Sequence, residues 1–123
     1  MKLLTNNPKF LNYISKGIEV DFRNVSYLEI LKIARDYIHE NYEILTHPMY
    51  GSVKPNETVY RTIVLKTGDI LDINSVNLIS QAIETFIKFE KNKKTPMWVE
   101  TVKDDFSVID YDLITNAINR IIK

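Results

Sequence analysis

An α/β fold is the expectation for this chain of 123 residues, and three observations carry it. Runs that read as strands alternate with runs that read as amphipathic helices, in the order strand, helix, strand, helix, strand, loop, strand, helix, helix. Such alternation implies a mainly parallel sheet with helices on both faces. The length suits one hydrophobic core. With 45% hydrophobic and 26% charged residues, the composition is that of an ordinary globular protein. The expected architecture is one domain over residues 1–123, a three-layer α/β/α sandwich with about four strands in a Rossmann-like or flavodoxin-like order.

The elements follow from local pattern. Lys2 to Thr5 is an apolar run stopped by Asn6-Asn7-Pro8. Proline disfavours the helical region for the residue before it, as an N-cap requires, so Asn7 and Pro8 together mark a helix start. Phe10, Leu11 and Ile14 give that helix an apolar side, and Gly17 ends it. Ile18 to Arg23 alternates apolar and charged residues, the pattern of a half-buried strand near a sheet edge. Ser26 and Glu29 form a capping box opening a helix to about Asn41, with Leu28, Leu31, Ala34 and Ile38 along one face. Glu43 to His47 reads as a third strand ended by Pro48, and Met49 to Thr58 as a loop rich in turn formers.

Val59 to Lys66 is the richest β segment, closed by Gly68. Asp72, Asn74 and Ser75 offer caps for a long helix with Val76, Ile79, Ile83, Phe86 and Ile87 on its inner face. Its basic end, Lys91-Asn92-Lys93-Lys94, complements the helix dipole. Thr95 to Trp98 reads as a connector, with a short strand through Val102. A cap at or near Asp110 then opens a last helix burying Leu113, Ile114, Ala117, Ile118, Ile121 and Ile122. One join resists the parallel layout: Met49–Thr58 is shorter than the dozen or so residues a parallel crossover usually needs. The fourth strand's direction therefore stays open, with the parallel arrangement as the working expectation.

Composition and missing motifs exclude much chemistry. Sixteen basic and sixteen acidic residues leave no net charge, which argues against nucleic-acid and membrane partners. The chain has no cysteine, which removes disulfides, thiol catalysis and Cys-based zinc sites. No G-x-G-x-x-G, P-loop or G-x-S-x-G motif is present. Two histidines without a carboxylate cluster make a poor metal set; Asp104-Asp105 and Asp110/Asp112 read first as loop and cap residues. No cofactor and no metal are expected, and the apolar runs are too short to cross a bilayer.

In open α/β sheets, ligands bind beyond the carboxyl ends of the strands where the strand order reverses. Two polar strand exits, Leu4-Thr5-Asn6-Asn7-Pro8 and Leu45-Thr46-His47-Pro48, would lie side by side in the order 2-1-3-4. The loop Gly51 to Thr58 would hang over them, bringing Ser52, Lys54, Asn56, Glu57 and Thr58. The candidate ligand-binding set is Thr5, Asn6, Asn7, Thr46, His47, Gly51, Ser52, Lys54, Asn56, Glu57 and Thr58. Against it stand plainer readings: Asn7 as a cap, Pro48 and Pro55 as turn residues, and His47 as a hydrogen-bonding side chain. His39, late in an amphipathic helix, is explained by the dipole.

The stretch Leu45-Thr-His-Pro-Met-Tyr-Gly-Ser-Val-Lys-Pro-Asn-Glu-Thr-Val-Tyr60, with Leu4-Thr-Asn-Asn-Pro8 and the later Ile109-Asp-Tyr-Asp-Leu113, resembles the GrdX family. Those small proteins are encoded with the glycine, sarcosine and betaine reductase genes of amino-acid-fermenting anaerobes. The resemblance implies context: cytoplasm, anaerobic amino-acid fermentation, and an accessory role beside a reductase. The function expected is an accessory protein rather than an enzyme, binding at the strand-end loops a small anionic ligand or a component of the reductase complex. A homodimer is also open. The alternative is a small enzyme with His47 as general acid/base, and Lys54 or a helix N-terminus holding an anionic group.

Overall fold

The computed structural model describes residues 1–49, 58–92 and 100–122. Among these residues the chain forms four strands, a short 3₁₀ turn and three helices. β1 (Lys2–Thr5) leads through the turn at Pro8–Phe10 to β2 (Glu19–Phe22), then to α1 (Tyr27–His39), β3 (Tyr42–Ile44), β4 (Thr62–Thr67), α2 (Ile73–Asn92) and α3 (Glu100–Ile121). The sheet order is β2-β1-β4-β3.

Only β1 and β2 pair in parallel, with Lys2 opposite Glu19 and Thr5 opposite Phe22. β4 runs antiparallel to both β1 and β3. The mainly parallel layout and the order 2-1-3-4 are thus corrected to a mixed sheet with β4 in the centre. The join from Ile44 to Thr62 is long enough for a crossover, but its sequence, broken by Pro48, Gly51 and Pro55, carries no helical pattern, and β4 returns antiparallel beside β3. Insertion of β4 between β1 and β3 puts its near-continuous run Thr62-Ile63-Val64-Leu65 where burial on both faces is complete.

Alternation along the strands sends apolar side chains to two clusters. Leu4, Ile63 and Leu65 meet Ile30, Leu31, Ala34 and Ile38 of α1 and Ile79, Ala82, Ile83 and Phe86 of α2. Leu3 and Val64 point the other way, onto Phe10 and onto Ile114 and Ile118 of α3. α1 starts as its sequence predicts, with the Ser26 hydroxyl accepting from the Glu29 amide at 3.2 Å. α2 is capped by Asp72, whose carboxylate accepts from the Ser75 amide at 3.1 Å. Leu28 and Val76 pack at the margin of this core, whereas Ile87 is exposed and Ala82 is buried in the core.

Three further expectations change. The segment after Asn7 does not become a helix ended by Gly17; it makes one 3₁₀ turn, and Leu11 and Ile14 face solvent. So short a helix is marginal on its own, and the turn is set instead by Phe10, which lies against Tyr111 (centroids 4.8 Å apart) and Tyr13 (5.5 Å). Gly17 serves the turn into β2, at φ +80°. The strands shift too: β3 ends at Ile44, and β4 starts at Thr62 instead of Val59.

The last helix begins at Glu100, ten residues before the expected cap, and includes Val102, so no strand passes there. Its inward positions in the first half are Ser107 and Asp110, so an apolar-periodicity test misses that half. Ile114, Ala117 and Ile118 are buried as expected, Leu113 is half-buried, and Ile121 and Ile122 are exposed.

The sheet ends are guarded by charge. Asp21 on β2 accepts from Arg23 Nε at 2.8 Å and from the Tyr37 phenol at 2.5 Å. Burial pushes the Asp21 carboxyl up, but these bonds outweigh it and hold the group below its ordinary range. Charged side chains on an edge strand also oppose further strand pairing. At the other end of the molecule Gly68 sits against the turn that closes α1, where Asn41 takes the left-handed conformation (φ 72°). A Cβ at position 68 would lie 2.9 Å from the Asn41 carbonyl oxygen. Gly68→Ala should therefore cost about 1–3 kcal/mol by forcing the two backbones apart; chemical denaturation checks this, and an unchanged midpoint would contradict it.

Candidate functional site

β1, β2 and β3 share one direction, so their carboxyl ends gather at one end of the sheet, beside the start of β4. The polar exits after β1 and β3 do meet this end, but β4 stands between them. Strands lie about 4.8 Å apart, which separates the two exits by about 10 Å. Thr46 serves the β3–β4 side: its hydroxyl accepts from the Val64 amide at 3.0 Å. His47 is exposed, and its Nδ1 accepts from the Met49 amide at 3.0 Å. That bond places the neutral ring's proton on Nε2. Gly51, Ser52, Lys54, Asn56 and Glu57 lie outside the described residues, and so do the connector Thr95–Trp98 and Lys93-Lys94.

On the β1 side the buried polar residues form a connected set. Thr5, Asn6, Asn7, Arg61, Thr62, Ser107 and Asp110 are all buried. The Asn7 amide donates to Thr5 Oγ1 at 2.9 Å, and the Thr5 and Thr62 hydroxyls are 2.7 Å apart. The Thr62 hydroxyl donates to Asp110 Oδ2 at 2.6 Å, so the Thr5 hydroxyl is the donor to Thr62. Asn7 Nδ2 donates to the same carboxylate oxygen at 2.9 Å and to the Ser107 carbonyl at 2.8 Å. Asn7 Oδ1 meanwhile accepts from the Lys9 amide at 3.0 Å. Asn7 is thus the cap its sequence predicts, and it also ties the β1 exit to the middle of α3.

Asn6 ties two loops. Its Nδ2 donates to the Val25 carbonyl at 2.9 Å and to the Val59 carbonyl at 2.8 Å, while Oδ1 accepts from the Arg61 amide at 2.8 Å. Val25 belongs to the turn before α1, and Val59 to the chain entering β4. Between these two segments opens a cleft of about 590 Å³, completed by Phe86 and Glu90 of α2 and Lys103 of α3. Its inner wall is the Tyr27 ring, stacked on Phe86 with centroids 4.9 Å apart at 16°. The Arg61 guanidinium lies 5.0 Å from the same ring. Burial raises the Tyr27 phenol's pKa, and the Arg61 charge works against that rise. A smaller cleft of about 300 Å³ lies beside the first, between the 3₁₀ turn and the start of α3, and the two share Tyr60 and Lys103.

Three of these residues escape a sequence reading, Arg61, Thr62 and Ser107, and Asp110, expected as a cap, lies buried inside α3 instead. One signal was available. Asp110 and Ser107 stand four and seven positions before Ile114, in phase with the buried face of α3. As for metals, Asp104 pairs with Lys9 at 3.4 Å, Asp110 points inward and Asp112 outward. Among the described residues no group of three or more His, Asp or Glu could hold an ion. Among them, too, no helix is long and apolar enough to cross a membrane.

Burial raises the Asp110 carboxyl above the ordinary carboxylate range, although Thr62, Asn7 and the Arg61 charge all oppose the rise. Between the unfolded value, about 3.9, and the raised folded value, the native state binds the extra proton. The contribution of Asp110 to stability therefore falls as pH rises through that window. Asp110→Asn keeps an acceptor for both donors and removes the titration. The gap between wild type and this variant should grow in favour of wild type as pH falls from 7 towards 4, measured by urea unfolding at each pH; a constant gap would refute the assignment. Asn6→Asp should cost about 2–3 kcal/mol, since it removes both donors and sets a carboxylate against two carbonyls; an unchanged melting temperature would refute the clamp.

No curated protein and no solved structure matches the chain. A family model does match over residues 2–119, which takes in the strand exits, both clefts and the buried set around Asp110, and by that match the chain belongs to the family described as GrdX-like protein.

Proposed function

We propose that this chain is a binding protein, accessory to the glycine, sarcosine and betaine reductase system, that takes a small ligand or a segment of a partner protein in the cleft between the turn before α1 and the entry to β4. The single observation that carries this reading is the cleft of about 590 Å³ whose two walls are fixed to each other through Asn6. Its size lies within the range of ligand sites. A wall tied by paired hydrogen bonds needs little reordering when a ligand arrives, which favours affinity. The reductase link and a cytoplasmic setting come from the family context, and an accessory task suits a chain without cysteine.

The enzyme reading rests on His47, and the geometry lends it less support. Nδ1 is already engaged by the Met49 amide, so protonating the ring there breaks an existing bond. The Asp110 carboxylate is likewise committed to Thr62 and Asn7.

Thermal unfolding against glycine, sarcosine, betaine, acetyl phosphate and common nucleotides, with calorimetry against the reductase components, tests the proposal. A ligand at a hundredfold excess over its Kd adds about 2.7 kcal/mol, a rise of several degrees. Tyr60→Ala, altering the rim alone, should reduce the response while the free protein melts almost unchanged. Silence from every small molecule and every reductase component would overturn the reading.

A further inference from the structure

The two clefts share Tyr60 and Lys103, so they are lobes of one groove that runs from the α1 start past Tyr60 to the 3₁₀ turn. Their chemistry differs. The larger lobe offers apolar surface from Val25, Leu28, Val59 and Tyr60, over the nearly buried rings of Tyr27 and Phe86. The smaller lobe is ionic: Lys9, Lys103, Glu100 and Asp104 line it. Both ion pairs there are exposed. Lys103 meets Glu100 at 3.8 Å with the glutamate side chain 93% accessible, and Lys9 meets Asp104 at 3.4 Å with the aspartate 65% accessible. Exposed pairs of this kind hold little energy and exchange partners readily.

A compact ligand of one charge fits this groove poorly. An anion drawn to Lys103 faces Glu90 across the larger lobe and Glu100 and Asp104 in the smaller one. A cation in the larger lobe, drawn to Glu90, faces Lys103. An elongated ligand with charges of both signs satisfies each in turn. If Lys103 serves an acidic group of that ligand, Glu100 and Asp104 face Lys9 as the remaining cation among the described lining residues, and the smaller lobe then favours a cation. The Tyr60 phenol reports the same field: burial raises its pKa first, and Glu100 and Asp104 raise it further. Chains that combine apolar, acidic and basic groups along one length are peptides.

We infer that the groove receives an extended peptide segment of a partner protein, with an apolar side chain against Val25, Leu28, Val59 and Tyr60, an acidic one at Lys103 and a basic one against Glu100 and Asp104. The inference rests on the cleft being a binding site and adds the class and polarity of its occupant. Charge order supplies specificity here, because the reversed order places like charges together.

The test uses the full chain, labelled with ¹⁵N, and two tetrapeptides blocked at both ends: phenylalanine-glutamate-glycine-lysine and its swapped form, phenylalanine-lysine-glycine-glutamate. Free phenylalanine serves as a compact probe. The first peptide should shift the amide signals of Tyr27, Tyr60 and Lys103 and bind about tenfold more tightly than the swapped form, with the difference shrinking as salt rises. Lys103→Glu, on an exposed rim, should reduce or invert that preference. Equal affinity of the two peptides, or a response to free phenylalanine alone, overturns the peptide reading while leaving the cleft a binding site. No amide shift at the cleft with any of the probes also overturns it, and the small-molecule and reductase-component measurements then decide the cleft separately.

Discussion

The buried carboxylate of Asp110 is the point from which the strand-end architecture is organised. It sits nearly three turns inside α3, and it accepts one hydrogen bond from central strand β4, through Thr62, and one from the exit of β1, through Asn7. Burying such a group costs several kcal/mol unless donors replace water, so its position requires those donors to be present and aimed. That demand propagates. Thr62 takes the Thr5 hydroxyl, Thr5 takes the Asn7 amide, and Asn7 caps the 3₁₀ turn that carries Phe10 into the core beside Tyr111. One polar group thereby fixes the mutual register of α3, two strands and the first connection, in a way that apolar contacts alone, being non-directional, do not.

This arrangement explains which parts of the fold were legible in the sequence. α1 and α2 were, because their inner faces are apolar at helical spacing and their caps, Ser26 and Asp72, are of the standard kind. β1, β2 and β4 were, apart from their limits, because alternation and β-branched runs mark them. The first half of α3 was hidden because Ser107 and Asp110 occupy its inward positions: a polar inner face has no apolar period to detect. The sheet order was hidden for a different reason. Pairing between β1 and β4 joins residues about sixty apart, and nothing local in either strand encodes it; only the lack of a helical pattern between β3 and β4 hinted at an antiparallel return.

The candidate site was legible to a similar degree. Thr5, Asn6 and Asn7 lie at the strand end where the alternating pattern placed them, yet their polar atoms face inward and are bonded to protein groups. Of the residues chosen as ligand contacts, Asn6 and Thr58 line the larger cleft, while Thr5 and Asn7 brace the strand end behind it. Sequence reasoning locates polar residues at strand ends but cannot separate a side chain that serves a ligand from one that serves the backbone, since both roles select asparagine and threonine. The groups that line the open groove, Tyr27, Tyr60, Phe86, Glu90 and Lys103, come from four separate segments, and each is unremarkable in its own element.

A division of labour follows from that distinction. Thr5, Asn6, Asn7, Thr62 and Asp110 already bond to internal partners, so a ligand gains little by competing for them, and disturbing them costs stability first. The groove residues are the converse: Lys103 and Glu100 meet in an exposed ion pair, and Tyr60 stands at the junction of two lobes. Substitutions in the first set should therefore register in unfolding experiments, and those in the second in binding experiments. Rigid support beneath an adjustable charged rim is an arrangement suited to recognition, where the walls must be ready before the partner arrives and the rim charges decide which partner is accepted.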